Sequence, residues 1–269
     1  MRLLIIGAHP DDADYFAAGT AALYRAAGHV VKLVSLTNGD AGHQTLRGPE
    51  LARRRRAEAT AAGAVIGATY DVLDNHDGEL LPTLENRWQV IRLVRSFRPD
   101  LLLTHRPNDY HPDHRYTSQL VQDAAYMVTV PAVVPDTPHL ARDPVIAYLN
   151  DGFQKPYPFQ PSVVLDVGGV MEQIVSMLHC HRSQFYEWLP YNAGYLDQVP
   201  ADESGRREWL ADRTAARLGA LTDRYREQVV AAYGPQRGAA VKYIEAFEAC
   251  EYGAPLDQAA RERLFPFVK

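Results

Sequence analysis

The chain's 269 residues are 46% apolar and 23% charged, a balance that supports a sizeable core and excludes a disordered chain. With 33 acidic against 28 basic side chains, the net charge of −5 opposes a surface built to neutralise phosphates, so no nucleic-acid partner is expected. Cys180 and Cys250 form neither a disulfide framework nor a CxxC knuckle, and no run approaches the ~18 apolar residues of a membrane helix.

The apolar run at the N-terminus is too short for a secretory signal and meets charge at once. The expectation is a cytoplasmic protein without a membrane partner. That run, residues 3–7, is the first predicted strand, and it exits into AHPDDAD at 8–14. A helix is predicted over 15–27, a strand over 30–36, and then the glycine-bearing loop TNGDAG at 37–42. The next helix, 49–63, carries RRRR at 53–56, which points around most of a helix circumference and so reads as a solvated face with one inward Arg. A strand at 69–73, a helix at 86–97 and a strand at 101–104 follow.

The strand at 101–104 exits into THRPNDYHPDH, residues 104–114, and a helix over 113–127. Residues 131–161 are dense in proline and aromatics, and are read as loop and candidate lid with one strand at 145–149. A strand at 163–167 and helical patterns at 168–189 and 205–249 complete the chain. Strands alternating with helices predict an α/β fold: a Rossmann-like, mostly parallel sheet flanked by helices. A single domain is expected, its core over about 1–130 and a Pro/aromatic-rich and helical extension over 131–269.

Both charged loops share one grammar, strand then His-Pro-Asp then helix. If the strand order is the common 3-2-1-4, they face each other at the switch point where ligands bind in such sheets. His9, Asp11, Asp12, His111, Asp113 and His114 would then share one cleft. Imidazoles and carboxylates in that number suit a catalytic zinc with three protein ligands, two His and one Asp, and a carboxylate left over as general base. Taken singly, each motif also fits a helix cap or a solvated loop. Asp14 stands as a candidate cap.

AHPDD, the Arg-x-x-Glu pattern within RRRRAE, DYHPDH and a weaker echo in HRSQ at 181–184 resemble the LmbE-like, or PIG-L, zinc-dependent N-deacetylases. The resemblance covers roughly the first 125 residues. It implies hydrolysis of the N-acetyl group of an N-acetylglucosamine-type small molecule, such as a glycosyl-inositol, a mycothiol or bacillithiol precursor, or a glycopeptide antibiotic. It further implies Zn2+ held by His9, Asp12 and His114, with Asp11 as general base, protonated His111 at the oxyanion and Asp113 orienting a ligand imidazole. Arg55 matches a substrate-contact position with Glu58 its helix companion, and Asp40 and His181 are further substrate candidates. Asp109 stands where some sugar-thiol deacetylases carry a tyrosine, and is counted with them.

Aromatics of the later half, such as Phe185, Trp188 and Tyr191, are read as core or as the interface of a homo-oligomer in preference to sugar stacking. Three rivals stand beside the deacetylase. A nucleotide-binding Rossmann protein needs GxGxxG where GAHPDD would repel phosphate. A metal-dependent phosphoesterase would use the same cluster with two ions, and a non-catalytic sugar-binding relative would keep the cleft alone.

Overall fold

The computed structural model describes residues 1–268. Five apolar runs form parallel neighbours: β1 (Arg2–Gly7), β2 (Val30–Thr37), β3 (Thr69–Asn75), β4 (Leu101–Thr104) and β5 (Val145–Leu149). β6 (Val163–Asp166) and β7 (Ile244–Ala249) extend the sheet to the order β3-β2-β1-β4-β5-β7-β6, with β7 antiparallel to both its neighbours. The expected 3-2-1-4 arrangement is therefore present, and the exits of β1 and β4 lie side by side.

Helices cover both faces, which is why the central strands read as unbroken apolar runs. α1 (Asp12–Ala26), α2 (Gly48–Val65), α5 (Met171–Cys180) and α7 (Glu203–Arg224) share one layer, and Leu3 and Ile5 point into it. Leu4 and Ile6, on the opposite face by the two-residue period, meet α3 (Leu84–Phe97) and α4 (Pro112–Met127). Short helices α6 (Leu189–Asn192), α8 (Arg226–Tyr233), α9 (Pro235–Ala240) and α10 (Gln258–Leu264) complete the chain. Among the described residues, no helix is long and apolar enough to cross a membrane.

The last third departs from expectation. Residues 205–249 are not one helical stretch: Tyr225 and the Gly234–Pro235 step break the helix, and Ile244–Ala249 is strand. IEAFEA consists largely of helix formers, but between β5 and β6 its Ile244, Ala246 and Phe247 are wholly buried, and tertiary context overrides propensity. The helix expected over 168–189 is likewise interrupted at His181 and resumes as a π-helical turn, Gln184–Trp188.

α1 itself is broken at Ala17, whose φ of −146° and ψ of 21° are not helical. The N–H groups freed there go to a side chain on β7. Glu245 Oε1 accepts from Gly19 N at 2.7 Å, and Oε2 accepts from Thr20 N and Thr20 Oγ1 at 2.8 and 2.6 Å. Gly19 is needed for that approach, because a Cβ there would lie 2.6 Å from Val167.

Candidate metal centre

The first loop is clamped before any ligand is considered. Ala8 O accepts from Ser35 Oγ, Thr37 Oγ1 and Thr37 N at 2.9, 2.8 and 2.8 Å, so the end of β2 fixes the exit of β1. Asp12 then folds back over the strand end, where only glycine fits: a Cβ on Gly7 would lie 2.6 Å from the Asp12 Cβ. Its Oδ2 accepts from Ala8 N and His9 N at 2.9 and 2.7 Å and contacts His105 Nε2 at 3.1 Å. With Oδ2 filled, Oδ1 is left facing His114 Nε2 at 3.4 Å.

The second loop completes the site. His9 Nδ1 and His114 Nε2 lie 3.1 Å apart, and on their far sides both rings meet carboxylates. Asp77 Oδ1 and Asp113 Oδ2 are 3.1 and 3.4 Å from His9 Nε2, and Asp109 Oδ1 is 3.1 Å from His114 Nδ1; these are ion-pair contacts rather than well-aligned hydrogen bonds. They favour protons on the outer nitrogens, which leaves two lone pairs facing each other beside Asp12. Such an arrangement suits a cation between them.

Electrostatics agree. Burial works to lower the pKa of His9, yet Asp113, Asp12 and Asp77 hold it well above the ordinary histidine value. Burial likewise opposes protonation of His114, and Asp12 and Asp109 outweigh it, raising the group to about 9. Two imidazolium rings at that spacing would repel, whereas one divalent ion meets the same demand for positive charge. Donor atoms of His9, Asp12 and His114 all lie within 4.8 Å of one another. The two imidazole nitrogens, 3.1 Å apart, and His114 Nε2 with Asp12 Oδ1, 3.4 Å apart, are spaced as neighbouring ligands on a tetrahedral ion with zinc-like bonds would be, at ~3.3 Å. Two other trios, His9 with His111 and Asp113, and His105 with Asp109 and His114, borrow members of this set.

Asp11 is adjacent to the trio without belonging to it. Burial pushes its pKa up against the pull of Arg55, whose Nη2 donates to Oδ1 at 2.9 Å. Arg55 is the one buried member of RRRR. His111 caps α4, its Nδ1 accepting from Asp113 N at 3.2 Å. That bond needs a lone pair on Nδ1, so the proton belongs on Nε2, and burial together with His9 and His114 lowers the pKa further. That bond favours a neutral ring with one N–H to offer over the protonated imidazole expected from the sequence.

A cavity of about 940 Å³ opens over these groups, and His9, Asp11, Asp12, Arg55, His111 and His114 line it. Asp113 sits behind His9, with Oδ2 accepting from Gly78 N at 2.7 Å. Three expected substrate contacts do not line it. Asp40 accepts from Asp77 N at 3.0 Å and pairs with His76, bracing the loop after β3. Asp109 stands behind His114, and fully buried His181 pairs with Asp14 at 3.0 Å. Asp14 is thus an inward partner of His181 and not a helix cap. Glu58 accepts from Ser183 N and Oγ at 3.0 and 2.5 Å, tying α2 to HRSQ.

Two members of the site escaped sequence reasoning. Asp77 follows β3 in NHDG, and its Oδ2 is 3.5 Å from Arg55 Nη1. Burial favours its neutral form, but His9 and Arg55 take its pKa down to about 2. His105 stacks on His114, ring centroids 4.0 Å apart. Both occupy strand exits on the ligand side of the sheet, which was the available signal. None of residues 131–161 lines the cavity: Asp151 and Tyr157 are held by Arg106, buried beyond β4. Phe185 and Trp188 do line it, so part of the aromatic surplus serves the cleft.

Residues 4–125 match the sequence model of the PIG-L family, GlcNAc-PI de-N-acetylase. Diacetylchitobiose deacetylase of Thermococcus kodakarensis is 30% identical over 207 residues, covering 71% of this chain and 74% of that protein. The 4-oxalmesaconate hydratase of Pseudomonas putida is 24% identical over 196 residues, covering 70% and 76%. Among solved structures, N,N'-diacetylchitobiose deacetylase from Pyrococcus horikoshii superposes with a TM-score of 0.70 at 24% identity, over 93% of this chain and 84% of that one.

Proposed function

The chain belongs to the PIG-L family, and from that premise we propose that it is a zinc-dependent hydrolase removing the acetyl group from an N-acetylglucosamine-type small molecule. The observation that carries the reading is the clustering of donor atoms of His9, Asp12 and His114 within 4.8 Å of one another, beside the carboxylate of Asp11. His9, Asp12 and His114 would hold the ion. When bound there, it supplies Lewis acidity, which lowers the pKa of water toward ~7 and polarises a carbonyl.

Asp11 takes the proton of the attacking water, its burial having raised its basicity and Arg55 holding the carboxylate in place. His111 offers its Nε2–H to the carbonyl oxygen as that atom gains charge. The proton then passes from Asp11 to the amine nitrogen as the C–N bond breaks, giving acetate and a free amine. Asp113 and Asp109 hold the His9 and His114 rings in the ligating orientation.

Acetate release from a panel of N-acetylglucosamine conjugates tests the reading, with zinc-loaded and chelated protein side by side. Zinc-dependent acetate production is expected. Because one relative is named a hydratase, turnover of any panel member without acetate would overturn it, as would equal rates in the chelated protein.

A further inference from the structure

The cavity has a second end that this chemistry leaves unused. Its far wall is a face of α7, where Trp209, Arg213 and Arg217 recur every fourth residue and so line up on one side of the helix. The Arg213 guanidinium lies 4.3 Å from the Tyr195 ring centroid and 4.8 Å from that of Trp209, and Arg217 lies 4.0 Å from Tyr15. Among the described residues, these rings are their partners, and neither guanidinium pairs with a carboxylate. Arg55, in the same cavity, is by contrast tied to Asp11 and Asp77.

Charge is segregated along the cavity. Its lining acids, Asp11, Asp12 and Asp77, all stand at the metal end and are engaged there. The carboxylate whose charge reaches Arg217 is that of Glu245, which is committed to Gly19 and Thr20. Two like charges one turn apart on a helix repel, and here no carboxylate forms a salt bridge with either. A guanidinium resting on an aromatic face keeps its edge N–H groups free for a planar or tetrahedral anion.

We propose that this end is an anion subsite, in which Arg213 and Arg217 together bind a carboxylate or phosphate carried by the part of the substrate remote from its acetamide. Tyr195, Trp209 and Tyr15 hold the two cations in place. The inference rests on the deacetylase reading for which end takes the acetamide, and it narrows the substrate class to anionic conjugates.

Two matched ligand pairs test it: 4-carboxyphenyl against 4-carbamoylphenyl N-acetylglucosaminide, and N-acetylglucosamine 1-phosphate against the methyl glycoside. Binding is measured by calorimetry in the metal-loaded Asp11→Asn background, and acetate release in the otherwise unaltered enzyme. In at least one pair the charged member should bind about tenfold tighter or better, as a charge-assisted contact implies. That ratio should fall below about threefold in R213Q and in R217Q. The pair that discriminates tells carboxylate from phosphate. R213Q changes an exposed position and stays informative should R217Q fail to fold. Equal binding within both pairs, as a neutral glycan subsite predicts, overturns the proposal, and so does a preference that survives R213Q. Tight, Arg213-dependent anion binding without acetate release would sustain the subsite and sink the deacetylase reading; acetate release with no charge preference would do the reverse.

Discussion

Asp109→Asn isolates what a charge behind a ligand ring contributes. The Asp109 carboxylate serves two neighbours through one oxygen, Oδ1, which accepts from His111 N at 2.9 Å and lies 3.1 Å from His114 Nδ1. An asparagine in the same rotamer keeps an acceptor oxygen for both and removes only the charge. Loss of such an outer carboxylate typically weakens metal binding by about 10- to 100-fold, or ~1.4 to 2.8 kcal/mol. Asp109→Ala additionally strands the His111 N–H, adding roughly 1 kcal/mol of folding stability to the loss. Zinc affinity by competition with a chromophoric chelator and stability by urea titration separate the two effects. Asn should lose affinity at nearly unchanged stability, and Ala should lose both. An asparagine variant binding zinc within about twofold of the parent would refute the argument that Asp109 orients and polarises His114.

Asp11→Asn should lower kcat by about 10²- to 10⁴-fold while the zinc content of the purified protein stays at the parental level; full turnover would remove Asp11 from the base role. His114→Ala should strip the metal, and an unaltered zinc stoichiometry by atomic absorption would dismiss the ligand set. At the surface, Arg182 above all, with help from His179, holds Glu203 down at about 2, below its ordinary 4.5. Its contribution is therefore present above about 4.5 and lost as pH falls toward 2. The Tm deficit of Glu203→Gln should be small, salt-sensitive and absent at the low end of that range, and a deficit independent of pH would contradict the sign.

The site was legible in outline because its ligands sit in two loops that interrupt strongly apolar runs. Residues 101–104 and 145–149 are strands with the predicted bounds, since fully buried parallel strands leave an unbroken apolar signature. Given the 3-2-1-4 order, the exits of the strands at 3–7 and 101–104 bring the loops of His9 and His114 together. Asp77 and His105 did not emerge, because a single polar residue at a strand exit has no pattern around it. The contacts of Asp40, Asp109 and Asp14 were not legible for a related reason: spacing reveals which loop holds a carboxylate but not which way the carboxylate turns. The far wall of the cavity, from Leu178 to Arg217, depends on where α5 and α7 pack, and no local periodicity encodes that. β7 was hidden outright, its Ala and Glu residues favouring helix until the gap between β5 and β6 selected strand.

The break in α1 at Ala17 carries a consequence for how the protein comes into being. Every residue assigned to the metal, the base and the oxyanion precedes residue 115, so a nascent chain holds the whole constellation well before Glu245 is made. Yet the helix that begins at Asp12 is held across its break by Glu245, which emerges long after His114. The chemical inventory is thus completed early and its mechanical anchor late. A fragment ending before residue 244 should contain all of the donors and lack the carboxylate that holds α1 across its break.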